Sequence, residues 1–289
     1  MQSKNSMSDI MTHIEILWLV NDEISEIINI LDTNPEISET DKKNIVQHLV
    51  RDFWQKTRKD WSPYINHLKH TVIWVSEQYN GKPPRIALLI ALLHDSIEDT
   101  RFKYERIRDI FWVEVALGVE FLSKKAFWKF IWKVPDISDE ESILHHNQLS
   151  VIFQLIGFQW INHEYQIHDW DVPPQLAELL KNLKAPYKKA QQDEYFSKFL
   201  SRDTIRSELQ KLIRSKNIEI NDAQIDMLVD TIIAVKISDR LHNLCTLTEN
   251  HKKKLQETLW YMRWLIKDII DTPLWHKVST EISWLQHQY

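Results

Sequence analysis

Four ionisable side chains, His94, Asp95, Glu98 and Asp99, crowd the end of an apolar run that reads Ile86-Ala87-Leu88-Leu89-Ile90-Ala91-Leu92-Leu93. At 100° per residue on a helix, His94 stands over Glu98 and Asp95 over Asp99. One and two turns earlier the same face carries Ala91 and Ala87, small enough for another helix to approach. Three carboxylates near a helix C-terminus face the negative end of the macrodipole at roughly 0.3–1 kcal/mol each, a penalty that a bound cation removes. Far along the chain Asp239, His242, Asn243 and Thr246 recur at i, i+3, i+4 and i+7, opposite an apolar stripe of Ile233, Ile237, Leu241 and Leu244. A third piece, Pro63-Tyr64-Ile65-Asn66-His67, adds a histidine ahead of the first cluster. Together His67, His94, Asp95 and Asp239 offer a nitrogen and oxygen donor set for a divalent metal, suited to Mn, Fe or Zn, with positions left over for water and substrate.

Each piece alone has an ordinary explanation. A single His-Asp pair is commonly surface chemistry, and the stripe from Asp239 to Thr246 is what the solvated face of an amphipathic helix looks like. His70 lies one turn from His67, and either could face solvent. His145, His146, His163 and His168 have no carboxylate pattern around them and read as surface histidines.

The elements that must position these groups are helices. Leu, Ile, Lys and Glu recur at three- and four-residue spacings, and alternating strand patterns bounded by Asn-Gly or Asp-Gly turns are missing, so the fold class is all-α. The periodicity predicts helices near 8–32, 40–58, 66–79, 85–99, 104–124, 147–158, 174–183, 190–200, 203–215, 222–247 and 251–270. Prolines at 63, 83–84, 135, 173–174 and 273 punctuate the connections. Residues 126–224 are richer in Gln, Asn, Lys and His and read as a helical insertion between two chemistry-bearing blocks.

Composition bounds the rest. The chain has 289 residues, 43% hydrophobic and 27% charged, enough to bury a core. Its 36 basic and 41 acidic side chains leave a net charge of -5, so no overall basic field points to nucleic acid or to an anionic membrane, and any basic site must be local. No run approaches the roughly 18 apolar residues a membrane span needs. The single cysteine, Cys245, has no internal partner, and Asp9 and Glu15 stand where a secretory signal would be apolar, so a cytoplasmic location is expected.

The three pieces, in order, resemble the hydrolase domain of the RelA/SpoT homologue family, a branch of the HD-domain metal-dependent phosphohydrolases. That signature runs from an Arg-Lys pair through Pro-Tyr-Ile-x-His, an apolar helix ending in His-Asp-x-x-Glu-Asp-Thr, and Lys-x-x-Asp-Arg-Leu-His-Asn-x-x-Thr. The chain carries it as Arg58-Lys59, Pro63 to His67, His94 to Thr100, and Lys236 to Thr246. The stretch Ile110 to Ala116, Ser123-Lys124 and Glu257-Thr258-Leu259 echo further parts, and the match spans residues 46–125 and 225–262. The resemblance implies an HD-type helical bundle: 46–125 and 225–270 as hydrolase core, 1–45 packed on it, 126–224 inserted, and 271–289 as a tail. It implies a manganese ion on His67, His94, Asp95 and Asp239, with Glu98 and Asp99 as catalytic acids that orient water and take its proton. Arg58, Lys59, Asn243 and Thr246 would face the substrate. That substrate would be the stringent-response alarmone (p)ppGpp, a guanosine nucleotide whose 3′-pyrophosphate is removed to leave GDP or GTP. A different nucleotide phosphohydrolase, acting on a dNMP, a dNTP or NADPH, would need the same ligands. A non-catalytic regulator would bind nucleotide through the same cleft, although retention of both Glu98 and Asp99 argues for catalysis.

Departures from the family pattern carry expectations too. The long members continue into a synthetase domain, and this chain stops about 20 residues after its last core helix, as a hydrolase-only member would. Cys245 stands at a position that is often arginine, and about 100 residues follow Lys125 where the family has far fewer. Most unusual are 3 Gly and 13 Trp, where average usage gives about 20 glycines. Trp61 and Trp112 fall where the family has glycine, in turns that use its tolerance of positive φ. Some of the tryptophans are therefore expected to be UGA codons read as glycine in a bacterial source, with strained or protruding rings wherever Trp occupies such a turn. UGG codons at 61 and 112 would refute this.

Overall fold

A computed structural model of the chain describes residues 22–58, 61–125, 138–155, 174–246 and 251–288. All the regular elements among them are helices: α1 Asp22–Asp32, α2 Glu39–Asp52, α3 Tyr64–Gln78, α4 Arg85–Leu93, α5 Ser96–Asp99, α6 Tyr104–Phe111, α7 Val113–Leu122, α8 Asp139–Leu155, α9 Pro174–Ser197, α10 Arg202–Ser215, α11 Asp222–Cys245, α12 His251–Ile269 and α13 Pro273–Gln288. The fold is all-α, as the periodicity predicts.

Two helices are buried on nearly every side and form the centre. Residues 87–93 of α4 are all buried, as is most of α11 from Leu228 to Asp239. A helix without a polar face has to be enclosed by others. Accordingly α11 packs against α3, α4, α7, α10, α12 and α13, while α3 and α7 also flank α4. Gly118 of α7 leaves room for Ile90 of α4: a Cβ there would lie 2.4 Å from Ile90 Cδ1.

Capping fixes where helices begin. Ser38 and Asp41 form a reciprocal box at the start of α2, as do Asn221 and Gln224 at the start of α11. Asp41 also accepts a 2.7 Å bond from Arg85, which ties α2 to the first residue of α4.

Several boundaries differ from the sequence expectation. The helix expected over 85–99 breaks at His94-Asp95, and the one over 104–124 breaks at Trp112, whose φ of 79° and ψ of 164° no helix accommodates. The pieces expected at 174–183 and 190–200 form one helix with Pro186 inside it, so this proline does not terminate the helix. The segment expected as a tail contains α13, whose Leu274 and Val278 are fully buried against the bundle. The expected helix over 8–32 is described only from Asp22.

Candidate metal centre

His67 lies in the first turn of α3, placed there by a tight loop in which Arg58 N–H donates to Ser62 O and Tyr64 N–H to Lys56 O, both at 2.9 Å. His94 and Asp95 occupy the break between α4 and α5, and Asp239 lies late on α11. Because α11 packs on both α3 and α4, the three positions converge. His67 Nε2 is 3.2 Å from His94 Nε2, 3.4 Å from Asp95 Oδ2 and 3.5 Å from Asp239 Oδ1, while His94 Nε2 is 3.1 Å from Asp95 Oδ2. One donor atom each from His67, His94 and Asp239 falls within 4.8 Å of the others, and all three residues are buried.

The second nitrogen of each ring fixes its orientation. His94 Nδ1–H donates to Ala91 O at 2.8 Å, and His67 Nδ1 meets His242 Nδ1 at 3.0 Å. Burial, and the nearby His67, push the His242 imidazole down to about 2, so it is neutral and can accept from His67. In that tautomer His67 Nε2 presents a bare lone pair, the arrangement a metal-binding histidine needs.

The charged groups of the cluster are tightly coupled. Burial raises the Asp239 carboxyl, but Lys236, Arg240 and His94 outweigh it and hold it far below the carboxylate range. Asp95 is likewise held well below its ordinary value, His94 and His67 overcoming its burial. His94 shows the converse: burial lowers it, yet Asp95 and Asp239 drive it up to about 9. Two carboxylates facing two imidazole nitrogens thus draw a positive charge into the middle, supplied by a proton on His94 or by a metal ion. The donor chemistry and convergence fit a divalent ion, and the buried His67, His94 and Asp239 group could hold one.

Beside this cluster, Tyr64 Oη lies within hydrogen-bonding distance of both Asp95 Oδ2 and Asp99 Oδ2. One hydroxyl proton cannot serve two carboxylates, and burial together with the Asp95 charge pushes Asp99 up to about 6. Glu98 accepts from Lys124 N–H and from Lys124 Nζ, at 2.8 Å each. Asp99 also borders a cavity of about 890 Å³ whose walls carry Arg51, Lys56, Arg101, Lys103 and Arg106. The same walls carry Asp52, Asp99, Glu105 and Asp109, so the lining is of mixed charge.

Of the four expected substrate-facing residues, three meet: the Arg58 guanidinium donates to Asn243 Oδ1 and, at 3.4 Å, to Thr246 Oγ1, while Asn243 Nδ2 donates to Asp239 Oδ1. Lys59 lies outside the described residues. The Asp239–Thr246 stripe is not a solvated face, since Asp239 and His242 are 6% and 5% exposed.

Two participants were not singled out by the spacing argument. His242 was seen only as part of a stripe, and its contact with His67 depends on how α3 crosses α11. Lys236 is 3% exposed and donates 3.1 Å to Asp239 Oδ2; its position one turn before Asp239 was the available signal. Comparison with protein families, with characterised proteins and with solved structures finds no match to this chain.

Proposed function

We propose that this chain is an HD-type, metal-dependent phosphohydrolase that removes the 3′-pyrophosphate of (p)ppGpp. The observation that carries the proposal is the meeting of His67 from α3, His94 and Asp95 from the α4–α5 break and Asp239 from α11, with Asp99 joined to Asp95 through the Tyr64 hydroxyl. A divalent ion such as Mn²⁺ held by those four residues would supply Lewis acidity toward a phosphoryl oxygen and toward water. Glu98 and Asp99 orient the attacking water and take its proton, with Lys124 keeping the Glu98 side chain in place. Arg58, Asn243 and Thr246 form a hydrogen-bonded edge next to Asp239, where the nucleoside sits. One water is consumed, a phosphorus–oxygen bond at the 3′ position breaks, and pyrophosphate leaves behind GDP or GTP.

The test is purified protein with Mn²⁺ and ppGpp, with pyrophosphate as the readout. Asp239→Ala and Glu98→Ala should each lower turnover by about 10² or more. Turnover that survives both substitutions removes the assignment. Hydrolysis of a dNMP, a dNTP or NADPH in place of ppGpp would keep the chemistry and change the substrate, and nucleotide binding without turnover would make the chain a regulator.

A further inference from the structure

The segment between the two chemistry-bearing blocks reaches back to the metal centre, and its only hydrogen bond to Lys236 among the described residues comes from one side chain. Tyr195, in the last turn of α9, is 1% exposed. Its hydroxyl donates 2.6 Å to Leu122 O, at the end of α7, and accepts 2.6 Å from Lys236 Nζ. The same ammonium donates to Asp239 Oδ2, leaving Asp239 Oδ1 toward His67. Around Lys236 Nζ stand the rings of Tyr195, Phe199 and Phe196, with centroids at 4.5, 5.5 and 5.8 Å, all three contributed by the 126–224 segment. On its other side the Tyr195 ring lies 5.3 Å from Lys124 Nζ, the group that grips Glu98.

An ammonium so deeply buried needs fixed acceptors and π faces in place of water, and here the inserted segment supplies most of them. A carboxylate held by a lysine that is itself anchored loses less freedom when it takes up a cation than one held by a mobile lysine. We propose that Tyr195 is a positioning residue for the metal centre: by fixing Lys236 between its own hydroxyl, anchored on Leu122 O, and Asp239 Oδ2, it makes the inserted segment part of the site. The inference rests on the metal-binding reading above.

The test is Mn²⁺ affinity by titration calorimetry, supported by the visible spectrum of the Co²⁺-loaded protein, recorded well below each variant's unfolding temperature. Tyr195→Phe keeps the ring against Lys124 and removes only the hydroxyl. It should raise the Mn²⁺ dissociation constant about tenfold or more and alter the Co²⁺ bands, with helix content unchanged. Lys236→Met should do the same by itself, which keeps the question answerable if Tyr195→Phe folds poorly. Adding Tyr195→Phe to Lys236→Met should change affinity less than twofold. Wild-type-like affinity in Tyr195→Phe, or a full further loss in the double variant, overturns the positioning role while Asp239→Asn still weakens binding. A wild-type protein that takes up no Mn²⁺ overturns the metal centre and this inference together.

Discussion

Of the five described non-glycine residues with positive φ, three are Asn80, Asn217 and Asp271, types that tolerate the left-handed region, and the other two are Trp61 and Trp112. Trp61 is 84% exposed, and the Arg85 guanidinium lies 2.7 Å from the Trp112 ring centroid, inside ordinary van der Waals separation. Both protrusion and strain thus occur at the two turns where glycine was expected. Both Trp112 backbone groups are bonded, N–H to Arg108 O and C=O from Ala116 N–H. Its φ and ψ fall in a region used almost only by glycine, at about 1–3 kcal/mol for other residues. Trp112→Gly is therefore expected to raise stability by about 1 kcal/mol or more in urea unfolding. Trp260→Gly, inside α12, should lose about 1 kcal/mol. Equal effects at the two positions would remove the backbone argument. The metal-ligand types were legible at this scale because spacing alone brings imidazole and carboxylate together at His94-Asp95. The partners that orient them, His242 and Tyr195, were not, since neither contact is local in sequence.

At the scale of elements the helices were legible and their interruptions were not. Periodicity reports a face, and α4 with α5, or α6 with α7, keep their faces across a break, so 85–99 and 104–124 each read as one helix. Proline misled in the other direction at Pro186, where the backbone continues helically on both sides. The start of α4, which carries His94 at its far end, depends on a charge that titrates. Burial would raise the Asp41 carboxyl, but hydrogen bonds from Ser38 and Arg85 prevail and its pKa is lowered. A group depressed in the folded state stabilises fully above its unfolded pKa of about 3.9, and that contribution fades as pH falls through the folded value. Asp41→Asn should accordingly cost about 1–2 kcal/mol at pH 7, by urea unfolding. The gap from wild type should hold down to about pH 5 and shrink toward pH 3. A gap that stays constant through that range would show that packing, and not the carboxylate charge, joins α2 to α4.

For the whole molecule, the decisive fact is that α11 is both the structural hub and the carrier of Asp239. Its buried length touches α3 and α4, which bring His67 and His94-Asp95, so the site closes only when the two distant blocks of the chain are packed. Unfolding must scatter these donors, and the separated groups retain little affinity for the ion. Binding to the folded state alone adds stability by mass action, about 2.7 kcal/mol when the free ion is at a hundred times its dissociation constant. At about 2–4 °C per kcal/mol for a chain approaching this size, Mn²⁺ should raise the unfolding temperature by about 5–10 °C, and excess EDTA should reverse the shift. Asp239→Asn tests the linkage independently of any substrate: it removes a charge that the buried Lys236 and Arg240 face, so the apo protein itself should be less stable, and its response to Mn²⁺ should be largely lost. Arg106→Gln, at an exposed residue of the cavity lining, should leave the Mn²⁺ shift intact. Scanning calorimetry with and without Mn²⁺ on these three proteins reads the outcome, and an unfolding temperature indifferent to the ion in wild type would mean that α3, α4 and α11 meet for packing alone.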